Sequence, residues 1–107
     1  MLFNKLVRDK IPEIIEADGY SCKTRILSDE EYLHYLKLKI REEALEFFND
    51  PSNSIEELAD ILEAVYATAN ALNCSIEQLE HLRKAKVDSR GAFEKRILLE
   101  YMEKEGK

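Results

Sequence analysis

The chain is poor in cysteine, in long apolar runs and in positive charge, and each shortage excludes something. Its two cysteines, Cys22 and Cys74, are too few and too far apart for a disulfide framework or a zinc site. No apolar stretch approaches the length of a membrane span, and Met1-Leu2-Phe3-Asn4-Lys5 lacks the hydrophobic region of a signal peptide. The expectation is a cytoplasmic protein with reduced thiols and no membrane partner. Sixteen basic against 22 acidic residues leave a net charge of −6, which argues against general affinity for nucleic acid backbones. A phosphorylated ligand held through a metal stays compatible with that charge. No repeat, low-complexity tract or linker divides residues 1–107, so a single domain is expected, though one marginal in size for an isolated core.

Turning to what is present, 45% hydrophobic and 36% charged residues describe a helix-rich chain. A short helix is expected from Ile11 to Asp18, with Pro12 suited to its first turn and Gly19 to its end. The arm before it, Asn4 to Lys10, carries Lys5, Arg8 and Lys10. Ser21 to Leu27 reads weakly as extended structure. Ser28-x-x-Glu31 is a capping box opening a second helix that runs to about Phe48. Its apolar stripe is Leu33, Leu36, Ile40 and Phe47, and the stripe position between the last two is Glu43. A carboxylate on a buried seam costs several kcal/mol unless paired or metal-bound. Ser54-x-x-Glu57 reads as a second capping box, opening a third helix with the stripe Ile55, Leu58, Leu62, Val65, Ala69 and Leu72. Asn73 can end it. Ser75 caps a fourth helix from Ile76 to about Val87, with Leu79 and Leu82 inward. Ala92 to Lys104 reads either as a fifth helix or as a partly extended tail.

Four carboxylates stand out, in the pairs Glu43-x-x-Glu46 and Glu57-x-x-Asp60. Residues three apart share a helix face. The segment Asn49 to Asn53 between the pairs is dense in turn formers, and Pro51 cannot continue a helix. If the flanking helices fold back on each other, Glu46 lies level with Glu57 and Glu43 level with Asp60. Four clustered carboxylates repel unless a cation sits among them, and oxygen-only ligation suits Mg²⁺ or Mn²⁺. Each acid also has a plainer reading. Glu57 can be a capping residue, Asp60 and Glu63 exposed charges, and Glu42, Glu43 and Glu46 partners of Lys39 and Arg41. The symmetric placement, with Glu43 on the seam, favours the metal.

This constellation resembles the E-x-x-E, spacer, E-x-x-D motif of the all-α nucleoside triphosphate pyrophosphohydrolases, the MazG-like superfamily. Lys5 to Ile15 is similar to the opening of small members of that family that are phosphoribosyl-ATP pyrophosphohydrolase-like. Glu42-Glu43-Ala44-Leu45-Glu46 and Glu56-Glu57-Leu58-Ala59-Asp60-Ile61-Leu62 match its two acidic blocks. Arg90-Gly91-Ala92-Phe93 is similar to its R-G-G-F element, with Ala92 in place of a glycine. The ten-residue spacer is short for the family, which requires a tight hairpin. The resemblance implies a four- to five-helix bundle that assembles as a homodimer or homotetramer, with active sites between subunits.

It also implies Mg²⁺-dependent cleavage of the α–β phosphoanhydride of a nucleoside triphosphate, giving monophosphate and pyrophosphate in nucleotide-pool house-cleaning. Glu43, Glu46, Glu57 and Asp60 are then the metal ligands and catalytic acids, one of them serving as general base. Cations to meet the phosphates come from Lys84, Lys86, Arg90, Lys5, Arg8 and Lys10. Lys86 and Arg90 are favoured, with Lys5 and Arg8 from the arm. Tyr66, two turns beyond Asp60, is a candidate for lining a nucleobase cleft. Two alternatives stay open: phosphoribosyl-ATP pyrophosphohydrolase of histidine biosynthesis, and a catalytically inert helical oligomer with a regulatory role.

Overall fold

The computed structural model describes residues 4–106, so the first three residues of the signal-peptide argument lie outside it. Among the described residues it is all-α, with no strand: α1 (Ile11–Ala17), α2 (Asp29–Phe48), α3 (Ile55–Ala71) and α4 (Ile76–Arg90). The extended structure expected over 21–27 is irregular backbone instead. The described residues cluster into two compact units, one ending at Ile76 and the other beginning at Glu77.

Local chemistry sets the helix ends of the first unit. Pro12 sits in the first turn of α1. Gly19, at φ +92°, lets the Gly19 and Tyr20 amides turn back onto the carbonyls of Glu16 and Ile15. Ser28 and Glu31 form the expected box, each accepting the other's backbone N–H. Asn73 adopts the left-handed conformation that closes α3 in the same way as α1, with the Cys74 amide donating to Ala69 at 2.8 Å.

Helix-on-helix packing in this unit is between α2 and α3, joined by the tight 49–54 turn. Leu36, 2% exposed, is the most deeply buried side chain, with Ala64 and Ala69 opposite on α3. Here one expectation is corrected. The inward face of α3 is not the leucine stripe: Ile55, Leu58, Leu62 and Leu72 are exposed, whereas Glu57, Asp60, Ile61, Val65 and Thr68 are half-buried around Ala64. Alanine lets two helix backbones approach closely, so the face with the small side chains and the acids turns towards α2.

In the second unit α4 runs to Arg90, three residues past the expected end, and stops at Gly91 with φ +86°. Leu79 is half-buried and Leu82 exposed. No fifth helix forms over 91–106, where Arg96 takes a left-handed φ of +57° that a helix does not admit. Phe93, Ile97, Leu98, Leu99, Tyr101 and Met102 are all exposed there. No helix among the described residues is long and apolar enough to cross a membrane.

Candidate metal centre

The two acidic pairs meet where α2 faces α3. Glu43, Glu57 and Asp60 each place a carboxylate oxygen within 4.8 Å of the others. Level placement across the turn accounts for Glu43 with Asp60, and the three-residue spacing along α3 adds Glu57 on the same face. Glu46 lies a turn further along α2, exposed, beside Glu43 but outside this trio.

Glu43 is 8% exposed, as its place on the apolar stripe requires. Its Oε1 pairs with Lys39 at 3.5 Å, so the plain reading of a Lys39 partner holds for one oxygen. Its Oε2 is buried with no hydrogen-bond partner, and so is Oε2 of Glu57. Burying an acceptor without a partner costs roughly 1–3 kcal/mol, more for a charged group. Burial, then the carboxylate of Glu46, pushes the Glu43 carboxyl above the usual range, with Lys39 opposing. Burial, then Asp60 and Glu43, raises Glu57 in the same way.

The N-terminal arm reaches this cluster. Arg8 Nη2 donates to Asp60 Oδ1 at 2.8 Å, and Lys5 pairs with Glu42 at 3.5 Å, a carboxylate that also meets Lys39 at 3.3 Å. Lys5 and Arg8, the arm cations favoured from sequence for phosphate, therefore stand against carboxylates. Lys86 and Arg90 are exposed on α4 in the second unit. Tyr66 lines an open cleft of about 490 Å³ together with Tyr32, Glu63, Ala67 and Asn70.

The residues fit a small, hard cation. Mg²⁺ ligands stand about 2.0–2.1 Å from the ion in octahedral geometry, so neighbouring oxygens are about 2.9 Å apart and opposite ones about 4.2 Å. The three carboxylate oxygens, within 4.8 Å of one another, draw together by side-chain rotation to reach that spacing. The two unpartnered oxygens supply lone pairs that no protein donor uses. Two participants escaped the sequence reading. Lys39 entered it only as a bland partner, and Asp50 only as a turn former. The signal for Asp50 was its spacing, four residues before the cap Ser54.

No protein-family profile matches the chain, and no solved structure matches it. A 42-residue stretch is 50% identical to an uncharacterized protein of Mycolicibacterium smegmatis, covering 39% of this chain and 43% of that one. The match thus spans less than half the length of that relative.

Proposed function

We propose that the protein is a Mg²⁺-dependent nucleoside triphosphate pyrophosphohydrolase, with Mn²⁺ as a substitute ion. One observation carries the reading: three carboxylates converge between two helices, and two of their oxygens are buried without any partner. The E-x-x-E and E-x-x-D blocks that build the trio are those in which the chain resembles MazG-like enzymes.

Glu43, Glu57 and Asp60 hold the ion, with Glu46 in reach of the same side. When bound, the ion supplies polarisation of phosphoryl oxygens and acidification of a water. A carboxylate of the four accepts the proton of the attacking water, for which the raised carboxyls of Glu43 and Glu57 lie in the useful direction. Arg8 leaves Asp60 to meet the substrate's phosphates once the carboxylate charge is neutralised, and Lys5 follows from the same arm. By the resemblance, Lys86 and Arg90 are further candidates for phosphate. Tyr66 and Tyr32 offer aromatic faces to a base in the cleft beside Glu63. Homodimer or homotetramer assembly belongs to the same proposal, supported by the exposed leucines of α3.

The experiment is an assay of pyrophosphate release over a panel of canonical and modified nucleoside triphosphates, with phosphoribosyl-ATP included. Activity is expected only with Mg²⁺ or Mn²⁺, and the products are monophosphate and pyrophosphate. Orthophosphate and diphosphate would identify a different bond. Preference for phosphoribosyl-ATP would select the biosynthetic alternative. Silence across the panel would favour an inert scaffold.

A further inference from the structure

We infer that Asp50 is a positioning residue for the carboxylate trio: by taking the backbone N–H of Ser54, it keeps Glu57 out of the α3 cap and among Glu43 and Asp60. This rests on the reading of those carboxylates as metal ligands.

The argument comes from two helices that begin with the same four-residue pattern. Ser28-x-x-Glu31 opens α2 as a closed box, in which the Ser28 N–H donates to Glu31 Oε1 at 3.2 Å and the Glu31 N–H to Ser28 Oγ at 3.3 Å. Ser54-x-x-Glu57 opens α3 and stays open. There the Ser54 N–H donates to Asp50 Oδ2 at 3.0 Å, and Ser54 Oγ accepts from the Glu56 amide at 3.2 Å. Glu57, released from the cap, has its Oε2 buried without a partner and places a carboxylate oxygen in the trio.

What separates the two helices lies four residues before the cap. Thr24 precedes Ser28, whereas Asp50 precedes Ser54. A backbone N–H carries one proton, so Asp50 and Glu57 compete for it. Asp50 is anchored for the contest, since its Oδ1 accepts from the Ser52 amide at 2.9 Å and the Ser52 hydroxyl at 2.7 Å. Those bonds, led by the Ser52 hydroxyl, hold its carboxyl below the usual range, so it stays an acceptor. Remove Asp50, and Glu57 is the acceptor that the α2 pattern shows to be able to close the box. Closing it withdraws the carboxylate from Glu43 and Asp60.

The test compares wild type, Asp50→Ala, Glu57→Gln and the double variant by Mn²⁺ calorimetry, with amide exchange of Ser54 read by NMR in the metal-free proteins. Outer-shell partners of metal ligands typically contribute about 10–100-fold in affinity, and a loss of that size is expected in Asp50→Ala. The double variant should bind no more weakly than Glu57→Gln alone. The Ser54 amide should stay protected in Asp50→Ala, where Glu57 takes it over, and lose protection in the double variant. Wild-type affinity in Asp50→Ala, losses that multiply, or an unprotected Ser54 amide in the single variant would overturn the inference. Should Asp50→Ala not fold, Asp50→Asn is read the same way, because its single acceptor oxygen cannot serve both Ser52 and Ser54. Failure of wild type to bind Mn²⁺ would sink the metal reading, while the exchange result alone still decides whether Asp50 and Glu57 compete.

Discussion

Glu43 concentrates the cost of the carboxylate trio, because among the described residues it is the one charged side chain buried in the first unit's core. Replacing it with glutamine keeps the shape and removes the charge. On the proposed function, activity should fall by more than the ~10–100-fold typical of outer-shell changes, since Glu43 would be a direct ligand. The metal-free protein should melt no lower than wild type, because a repelling carboxylate has gone. Turnover and melting temperature measured on the same preparation check both halves. A folded Glu43→Gln variant with near-normal rate would rule the trio out as the active site.

The same residues govern pH dependence. Folded-state pKa values of Glu43 and Glu57 lie above the ordinary 4.5, so their protonated forms favour the fold. That contribution is complete below about pH 4.5 and is lost as pH rises through the folded values. With a chelator present, the melting temperature should therefore rise on acidification from pH 7 towards 5, and Glu43→Gln should flatten the rise. Glu31 acts in the opposite sense. Its hydrogen bonds to Arg25, then to Ser28, hold it at about 2, so its contribution is present above pH 4.5 and lost as pH falls towards 2. Melting temperature against pH should pass through a maximum on the acid side of neutrality.

At the scale of elements, the caps were legible from sequence because they are local. Ser28 with Glu31, Gly19 after α1 and Asn73 after α3 act through backbone groups within a few residues, and all three stand where their residue types place them. Ser28→Ala should cost about 0.5–2 kcal/mol of unfolding free energy, as cap removal usually does. Leu36→Ala should cost more, about 2–5 kcal/mol, because it empties the most buried position between α2 and α3. Urea denaturation of the two variants orders the effects; equal losses would mean that the α2–α3 interface is not the packed centre of the unit. Ser54 caps α3 as expected, but the box with Glu57 does not close. The competitor of Glu57, Asp50, sits in a turn whose geometry decides which acceptor wins.

For the whole molecule the apolar surface is the outstanding quantity. Leu58, Leu62 and Leu72 are exposed on α3, and the segment after Gly91 carries six exposed large apolar side chains. Monomeric proteins rarely leave large apolar patches open. Sedimentation at micromolar concentration should give at least twice the 12.5 kDa chain mass. Leu58→Lys with Leu62→Lys should shift the population towards the single chain, with helix content retained. A monomer in the wild type, or an unchanged oligomer in the double variant, would remove α3 from the interface.

The sequence by itself determined the helical class, the boundaries of α1 to α3 within a residue or so, and the pairing of Glu43 with Asp60 across the turn. Those follow from periodicity, capping and a short connection, all of which act over a few residues. Tertiary structure decided which face of α3 turns inward, that Glu57 joins Glu43 and Asp60 while Glu46 stays outside, and that Arg8 reaches Asp60 across 52 positions of chain. The leucine stripe and the acidic face of α3 are both plausible seams by pattern. What separates them is which side chains the two helices bury between them, and those are Leu36, Ala64 and Ala69, a property of two helices together.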